Sequence, residues 1–217
     1  MFERKPLRTD VAAEIQGRII DGRLAAGTRI NESQLSAAMG ISRTPLREAM
    51  LCLTTEGALA SDMGRGFRVP RLDGRELSDL LETLAVVYEA AVRRADDGGL
   101  KDVFEARNIL GRARLQTAEP AALCEQLYLL LRHLIRGCHN DILRREGLRL
   151  VRLVLRYINV GIARGFSPEG FLAHMDAGLA DLEQGGRPAA AVRFAHALAD
   201  LGSDLAPRFP TEATERA

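Results

Sequence analysis

The side chains of this 217-residue chain that are best placed to do chemistry are closely spaced arginines. Ser42, Arg43, Thr44 and Arg47 fall within six residues. Arg43 and Arg47 are four apart, so on a helix they project from one face. A guanidinium fork can grip a phosphate or read guanine O6 and N7. A helix start adds unpaired N–H groups and the positive end of the dipole, both suited to phosphate. A third arginine, Arg65, lies between Gly64 and Gly66. At a hairpin tip it would reach a phosphate or the minor groove. The same spacing also suits an ordinary solvated face, with Arg43 and Arg47 paired to Glu48 and Glu32. No HExxH or GxSxG pattern supplies a catalytic base or nucleophile.

The elements that must carry these residues follow from periodicity. Leu7, Val11, Ile15 and Ile19 recur at i, i+4 and predict an amphipathic helix over 7–22. A glycine-bracketed turn follows, then a short helix over 32–39 that ends at Gly40. Ser42 is placed to N-cap a third helix running to about Glu56, with Pro45 in its first turn, where a missing N–H costs little. Leu46, Met50 and Leu53 form its apolar stripe. Short extended segments over 58–61 and 67–70 flank a Gly-rich link and predict a β-hairpin. Helix, turn, helix and hairpin in this order read as a helix-turn-helix with a wing.

Residues 70–74 read as a linker, and every later segment is helical. Leu77, Leu80, Leu81, Leu84, Val87, Tyr88 and Ala91 share one helical face, suited equally to a bundle core and to a dimer interface. Residues 96–99 stop that helix. Helices are expected over about 100–117, 120–138, 140–164, 168–184 and 187–204. The expected fold is therefore mainly α: a winged helix-turn-helix over 1–70, a linker over 71–74, an all-α bundle over 75–206 and a loose tail over 207–217.

Composition bounds the function classes. The chain carries 30 Lys/Arg and 29 Asp/Glu, a net charge of +1. It is no histone-like polycation and no acidic disordered tail. Residues 1–70 hold ten basic and eight acidic residues, so DNA affinity must come from where charges sit rather than from their number. The charged N-terminus does not suit a signal peptide, and no apolar run is long enough for a membrane span. Cys52, Cys124 and Cys138 form no CxxC pair, which fits buried thiols in a reducing cytoplasm.

Residues 7–70 also resemble the winged-helix domain of GntR-family bacterial transcription regulators. The resemblance rests on a GxLxxGxxI start (Gly22 to Ile30), then NESQLS, GISRTPLREAM, an EG pair and GRGFRV, all in order. By position, Ser33, Arg43, Thr44 and Arg47 match DNA-contacting residues, and Gly66 matches the wing's close approach to DNA. Ser42 is then expected to cap the helix and contact phosphate, and Pro45 to shape the helix start.

The helical remainder resembles, less closely, the FCD-type domain of the FadR subfamily, a ligand-sensing and dimerising bundle. Such domains often hold a divalent metal through an acidic residue and a His one turn apart, then two later histidines. His174 and His196 match the later pair. Glu125 falls at the acidic position and Tyr128 at an aromatic one, but Leu129 stands where the first His is expected. His133, one turn further on, is the substitute. An alignment through Asn140 instead puts Leu127 and Leu131 at the ligand positions and removes both. Glu with two or three His suits Zn²⁺ or Ni²⁺. Near Leu84 and Tyr88, charged residues of the family are replaced by apolar or aromatic ones. Arg156 or Arg152 would be left to clamp an effector carboxylate, although arginines on a long helix are more often surface groups with buried stems. Tyr88, Tyr128 and Arg156 are thus the candidate effector residues.

These readings imply a cytoplasmic, homodimeric regulator of operator DNA, responsive to a small-molecule effector such as a metabolite acid. The rival expectations are a metal-dependent enzyme built on Glu125, His174 and His196, and a dimeric helical protein with a decayed sensor.

Overall fold

A computed structural model describes residues 7–62, 64–95 and 102–211. The chain divides into two compact units between Leu72 and Asp73.

The first unit contains α1 (Leu7–Ile20), α2 (Glu32–Met39), α3 (Arg43–Thr55), β1 (Ala60–Asp62) and β2 (Gly66–Arg68). Val11, Ile15 and Ile19 of α1 bury the predicted stripe against Leu46, Met50 and Leu53 of α3. Asn31 caps α2 by accepting hydrogen bonds from the Ser33 and Gln34 N–H groups, both at 3.1 Å. Gly40, at φ 63°, closes the same helix in the left-handed region. These two caps set the tight turn that delivers α3.

The strands are antiparallel, with Ser61 opposite Phe67. They lie two residues inward of the predicted 58–61 and one residue earlier than 67–70. The reason is competition for hydrogen bonds. The Ala58 and Leu59 N–H groups close the end of α3 by bonding to the Leu53 carbonyl. Val69 N–H bonds to the Thr28 carbonyl, and Ile30 N–H to the Phe67 carbonyl. The segment before α2 thereby pairs with the hairpin and anchors it.

The second unit contains α4 (Gly74–Arg94), α5 (Val103–Leu115), α6 (Pro120–Ile135), α7 (Asp141–Ala163), α8 (Glu169–Glu183), α9 (Arg187–Leu205) and a single 3-10 turn, Ala206–Arg208. α4 packs on α7 and α9; α6 packs on α7, α8 on α9, and α5 on α6 and α8. Leu77, Leu81, Leu84, Tyr88 and Ala91 are all buried in this bundle. That face of α4 is core.

Several boundaries differ from expectation: α1 ends at Ile20 rather than 22 and α5 at Leu115 rather than 117, and three further differences have a clear physical reason. Gly74, placed in the linker, is the first residue of α4. Asp73 caps the helix by accepting from the Arg75 and Glu76 N–H groups. A β-carbon at Gly74 would lie 2.6 Å from the Ala206 carbonyl oxygen, so only glycine permits this approach. Of the tail expected to be loose over 207–217, the described part reaches residue 211 and is packed: Phe209 is 5% exposed and meets Tyr157 edge-on at 5.0 Å. The Pro210 carbonyl also accepts from Gly74 N–H. Finally, α6 ends at Ile135 rather than 138, because Arg136 and Cys138 bond three residues back in tighter turns. The helix stop read at 96–99 lies outside the described residues.

Candidate nucleic-acid interface

In the first unit, the N-terminal half of α3, the start of α2 and the tip of the hairpin enclose a groove of about 610 Å³. Arg43, Arg47, Arg65 and Gly66 all line it. The register of α3 puts Leu46 and Met50 inward and Arg43 and Arg47 outward, which is why the predicted pair is exposed. Arg65 is exposed at the hairpin tip. Its N–H bonds to the Asp62 carbonyl at 2.9 Å. Gly66, at φ 84°, turns the chain back into β2.

Two predicted residues meet directly. The Arg43 guanidinium donates to Ser33 Oγ at 2.8 Å, joining the second helix to the third at the groove. Thr44 is exposed beside them. Ser42 occupies the N-cap position with extended backbone, but its side chain makes no cap hydrogen bond. The expectation that Ser42 caps through its hydroxyl is therefore corrected. Pro45, third in the helix, lacks the N–H that an N-cap hydroxyl commonly receives, so the hydroxyl stays exposed.

The groove also holds acidic and apolar residues. Glu32 Oε2 stands 3.9 Å from Arg47 Nη1. Asp62 sits 3.1 Å from Arg68 and 3.8 Å from Arg29, so it engages one arginine of the hairpin and one of the segment before α2. Leu51 is 52% exposed on the groove side of α3. The Glu32–Arg47 partnership was present in the sequence as the solvated-face alternative. The Asp62 pairs were not legible, because they depend on hairpin register.

The candidates in the second unit do not form one site. Tyr88 on α4 is fully buried, and its hydroxyl has no hydrogen-bond partner among the described residues. Burial, and to a smaller extent Tyr128 on α6, holds its pKa well above the usual tyrosine value. Arg132 stacks over the Tyr128 ring at 5.8 Å. Arg156 lies elsewhere. Gly147 packs against Tyr88, and Arg156 is nine residues further along the same helix, roughly 13 Å. Arg156 is only 3% exposed, against the expectation of a surface group. Its Nη2 donates to both carboxylate oxygens of Glu76, at 3.2 and 3.0 Å. Tyr157 donates a short hydrogen bond to the same carboxylate. Arg156 does clamp a carboxylate, and it is the protein's own. Its Nε and Nη1 remain buried without partners.

The metal candidates do not converge either. Glu125, His174 and His196 are exposed. His174 Nδ1 lies 3.4 Å from Asp200. His133, the substitute for the missing ligand, is buried and its Nε2 lies 3.0 Å from the Asp102 carbonyl oxygen. Among the described residues no group of three or more His, Cys, Asp or Glu is placed to hold a metal ion. The donors present do not fit the divalent centre that the resemblance implied. Cys124 and Cys138 are buried free thiols, and Cys52 is half-buried. No helix among the described residues is long and apolar enough to cross a membrane.

A helix-turn-helix followed by a hairpin, with arginines gathered between recognition helix and wing tip, defines the winged-helix class. Residues 7–69 match the family model described as "Bacterial regulatory proteins, gntR family", so the first unit is similar to the winged helices of that family. The chain is 48% identical over 69 residues to the Nta operon transcriptional regulator of Aminobacter aminovorans, across 32% of this chain and 33% of that protein. It is 32% identical over 104 residues to a probable D-xylose utilization operon transcriptional repressor of Paenarthrobacter nicotinovorans, 46% of each chain. It is 33% identical over 118 residues to the Glc operon transcriptional activator of Escherichia coli K12, 47% of this chain and 46% of that one. The matched regions thus span from a third to just under half of these relatives. Two solved structures share the fold over nearly the whole chain. A putative transcriptional regulator GntR from Rhodococcus sp. RHA1 aligns with a TM-score of 0.75 at 21% identity, over 91% of this chain and 96% of that one. E. coli McbR/YncC aligns with a TM-score of 0.71 at 20% identity, over 91% and 93%.

Proposed function

We propose that this protein is a sequence-specific DNA-binding transcription regulator that works in the cytoplasm as a homodimer. The first unit docks on operator DNA with α3 in the major groove and the hairpin tip against phosphate or the minor groove. One observation carries this reading: Arg43, Arg47 and Arg65 line a single groove together with Gly66. The relatives' names, all transcriptional regulators, support it. Arg43, positioned by Ser33, and Arg47 read base edges or hold phosphates. Ser42 and Thr44 offer exposed hydroxyls at the helix start.

A lone winged helix meets one half-site, so two-fold pairing with a near-palindromic operator raises affinity through effective concentration. The six-helix unit is the FCD-like part in this reading, and it senses a small molecule such as a metabolite acid. That effector acts only through unequal affinity for two states of the protein. A carboxylate arriving at Arg156 must compete with Glu76, which already accepts from its Nη2. Glu125, His174 and His196 are exposed and form no metal-binding group among the described residues, so they do not favour the enzyme reading.

The test begins with selection of bound duplexes from a randomised pool, followed by titration at fixed salt. Arg43→Ala and Arg47→Ala should each weaken the selected duplex by about 1–3 kcal/mol, roughly 5- to 150-fold. Their sedimentation should still match the wild type. Wild-type affinity in both variants rules the interface out.

A further inference from the structure

We propose that Glu32 sets the stringency of DNA recognition by competing with the phosphate backbone for Arg47. The inference rests on the DNA-binding reading above and goes beyond it, since it assigns a role to an acidic residue inside a basic surface.

Two carboxylates line the groove, Glu32 and Asp62. Asp62 is engaged by Arg68 of the hairpin and Arg29 of the segment before α2, and those contacts hold the two together. Glu32 has no such duty. It is the first residue of α2, and its neighbour Asn31, not Glu32 itself, supplies the helix cap. Its carboxylate points instead into the space between α3 and the wing. There Oε2 lies 3.9 Å from Arg47, and Oε1 is the nearest side-chain atom to the open side of Gly66, 3.6 Å from where a β-carbon would be. Glu32 is therefore a negative charge at the place where the wing and the recognition helix would close on DNA.

The pair is loose and wet. The Arg47 side chain is 65% exposed and that of Glu32 22%, so the attraction is modest. Modest is what a selector requires. A phosphate that draws Arg47 away must overcome the Glu32 attraction and is itself repelled by the carboxylate. A correct site returns more, through a bidentate guanine contact. Binding that relies on phosphate alone is therefore penalised at every register, whereas binding with a base contact absorbs the penalty. The whole-chain charge of +1 suits a protein that avoids indiscriminate phosphate binding.

The experiment uses the full chain and a duplex pool of randomised sequence as probe, titrated at several salt concentrations. Glu32→Gln should bind the pool roughly 2- to 5-fold more tightly than wild type. Sites selected by Glu32→Gln should be more degenerate. The gain should shrink in an Arg47→Ala background, because the competition needs both partners. Glu32→Asp keeps the charge at the start of α2, but one methylene less breaks a contact already at 3.9 Å, so it should show part of the gain. Unchanged pool affinity in Glu32→Gln overturns the proposal, as does the same gain with and without Arg47. Weaker binding by both Glu32 variants with a lowered unfolding midpoint assigns Glu32 to helix stability and also overturns it. Failure of the wild type to bind any duplex is a separate result, and it removes the DNA-binding reading as well.

Discussion

The ion pair between Arg156 and Glu76 should break with very different consequences from its two ends. The Arg156 side chain is 3% exposed and that of Glu76 42%. Removing the carboxylate by Glu76→Ala leaves a guanidinium inside the bundle with no anion, and Nη2 joins the already unpartnered Nε and Nη1. Tyr157 loses its acceptor as well. Breaking a fully buried pair from one side costs about 3–5 kcal/mol. The solvated Glu76 end lowers that to about 2–4 kcal/mol. Arg156→Met does the reverse. It deletes the desolvated cation and both orphaned nitrogens at similar volume, while Glu76 rehydrates and still accepts from Tyr157. Its cost should stay below about 1.5 kcal/mol. For a helical unit of this size the difference of about 2 kcal/mol appears as roughly 4–8 °C between the variants' melting points. Thermal unfolding of the full chain, followed by far-UV circular dichroism and fitted with one transition per unit, measures it. Equal losses, or a larger loss in Arg156→Met, would refute the reasoning that burial of the cation sets the asymmetry.

Other outcomes follow from packing and protonation. A methyl at Gly178 would sit 2.3 Å from Cε1 of the buried Phe194 ring. Gly178→Ala should therefore destabilise by about 1–2 kcal/mol despite its better helix propensity. Gly111→Ala, in α5 with nothing within 4 Å, should stabilise by about 0.5–1 kcal/mol; urea titration of the two variants reads the opposite signs. Burial pushes the Cys124 thiol up to about 12 and raises the Tyr88 and Tyr157 hydroxyls above their usual value. These groups keep protons in the fold that the unfolded chain releases. Their contribution is thus complete below about pH 8, where the unfolded thiol begins to ionise, and is lost as pH rises towards the folded values. Unfolding midpoints measured from about pH 8 to about pH 11 should fall steadily; a flat profile would count against burial of all three groups.

Local patterns determined much of this protein. Apolar residues at i, i+4 and glycines at turns are properties of short segments. They placed α2 to the residue and most other helices to within a few. They also placed Arg43 and Arg47 on the outer face of α3, because a helix that buries Leu46 and Met50 leaves no other choice. The motifs of residues 22–69 identified the winged helix for the same reason: the residues that shape the turn and the wing are contiguous.

What the tertiary structure alone decided is every pairing across long sequence separation. Nothing local says that Arg156 turns inward to Glu76, eighty residues away, or that Phe209 packs on Tyr157. Helical spacing likewise could not tell whether Glu125, His174 and His196 would meet. Periodicity fixes the face on which a side chain lies, whereas the partner that face meets depends on how whole helices cross. A metal centre needs its donors within about 2 Å of one point, and only packing sets distances on that scale. The arginines of the winged helix were legible because one helix and one hairpin suffice to position them; Glu32 was legible as a partner for Arg47, and the fold decided that this pair lines the groove between α3 and the wing.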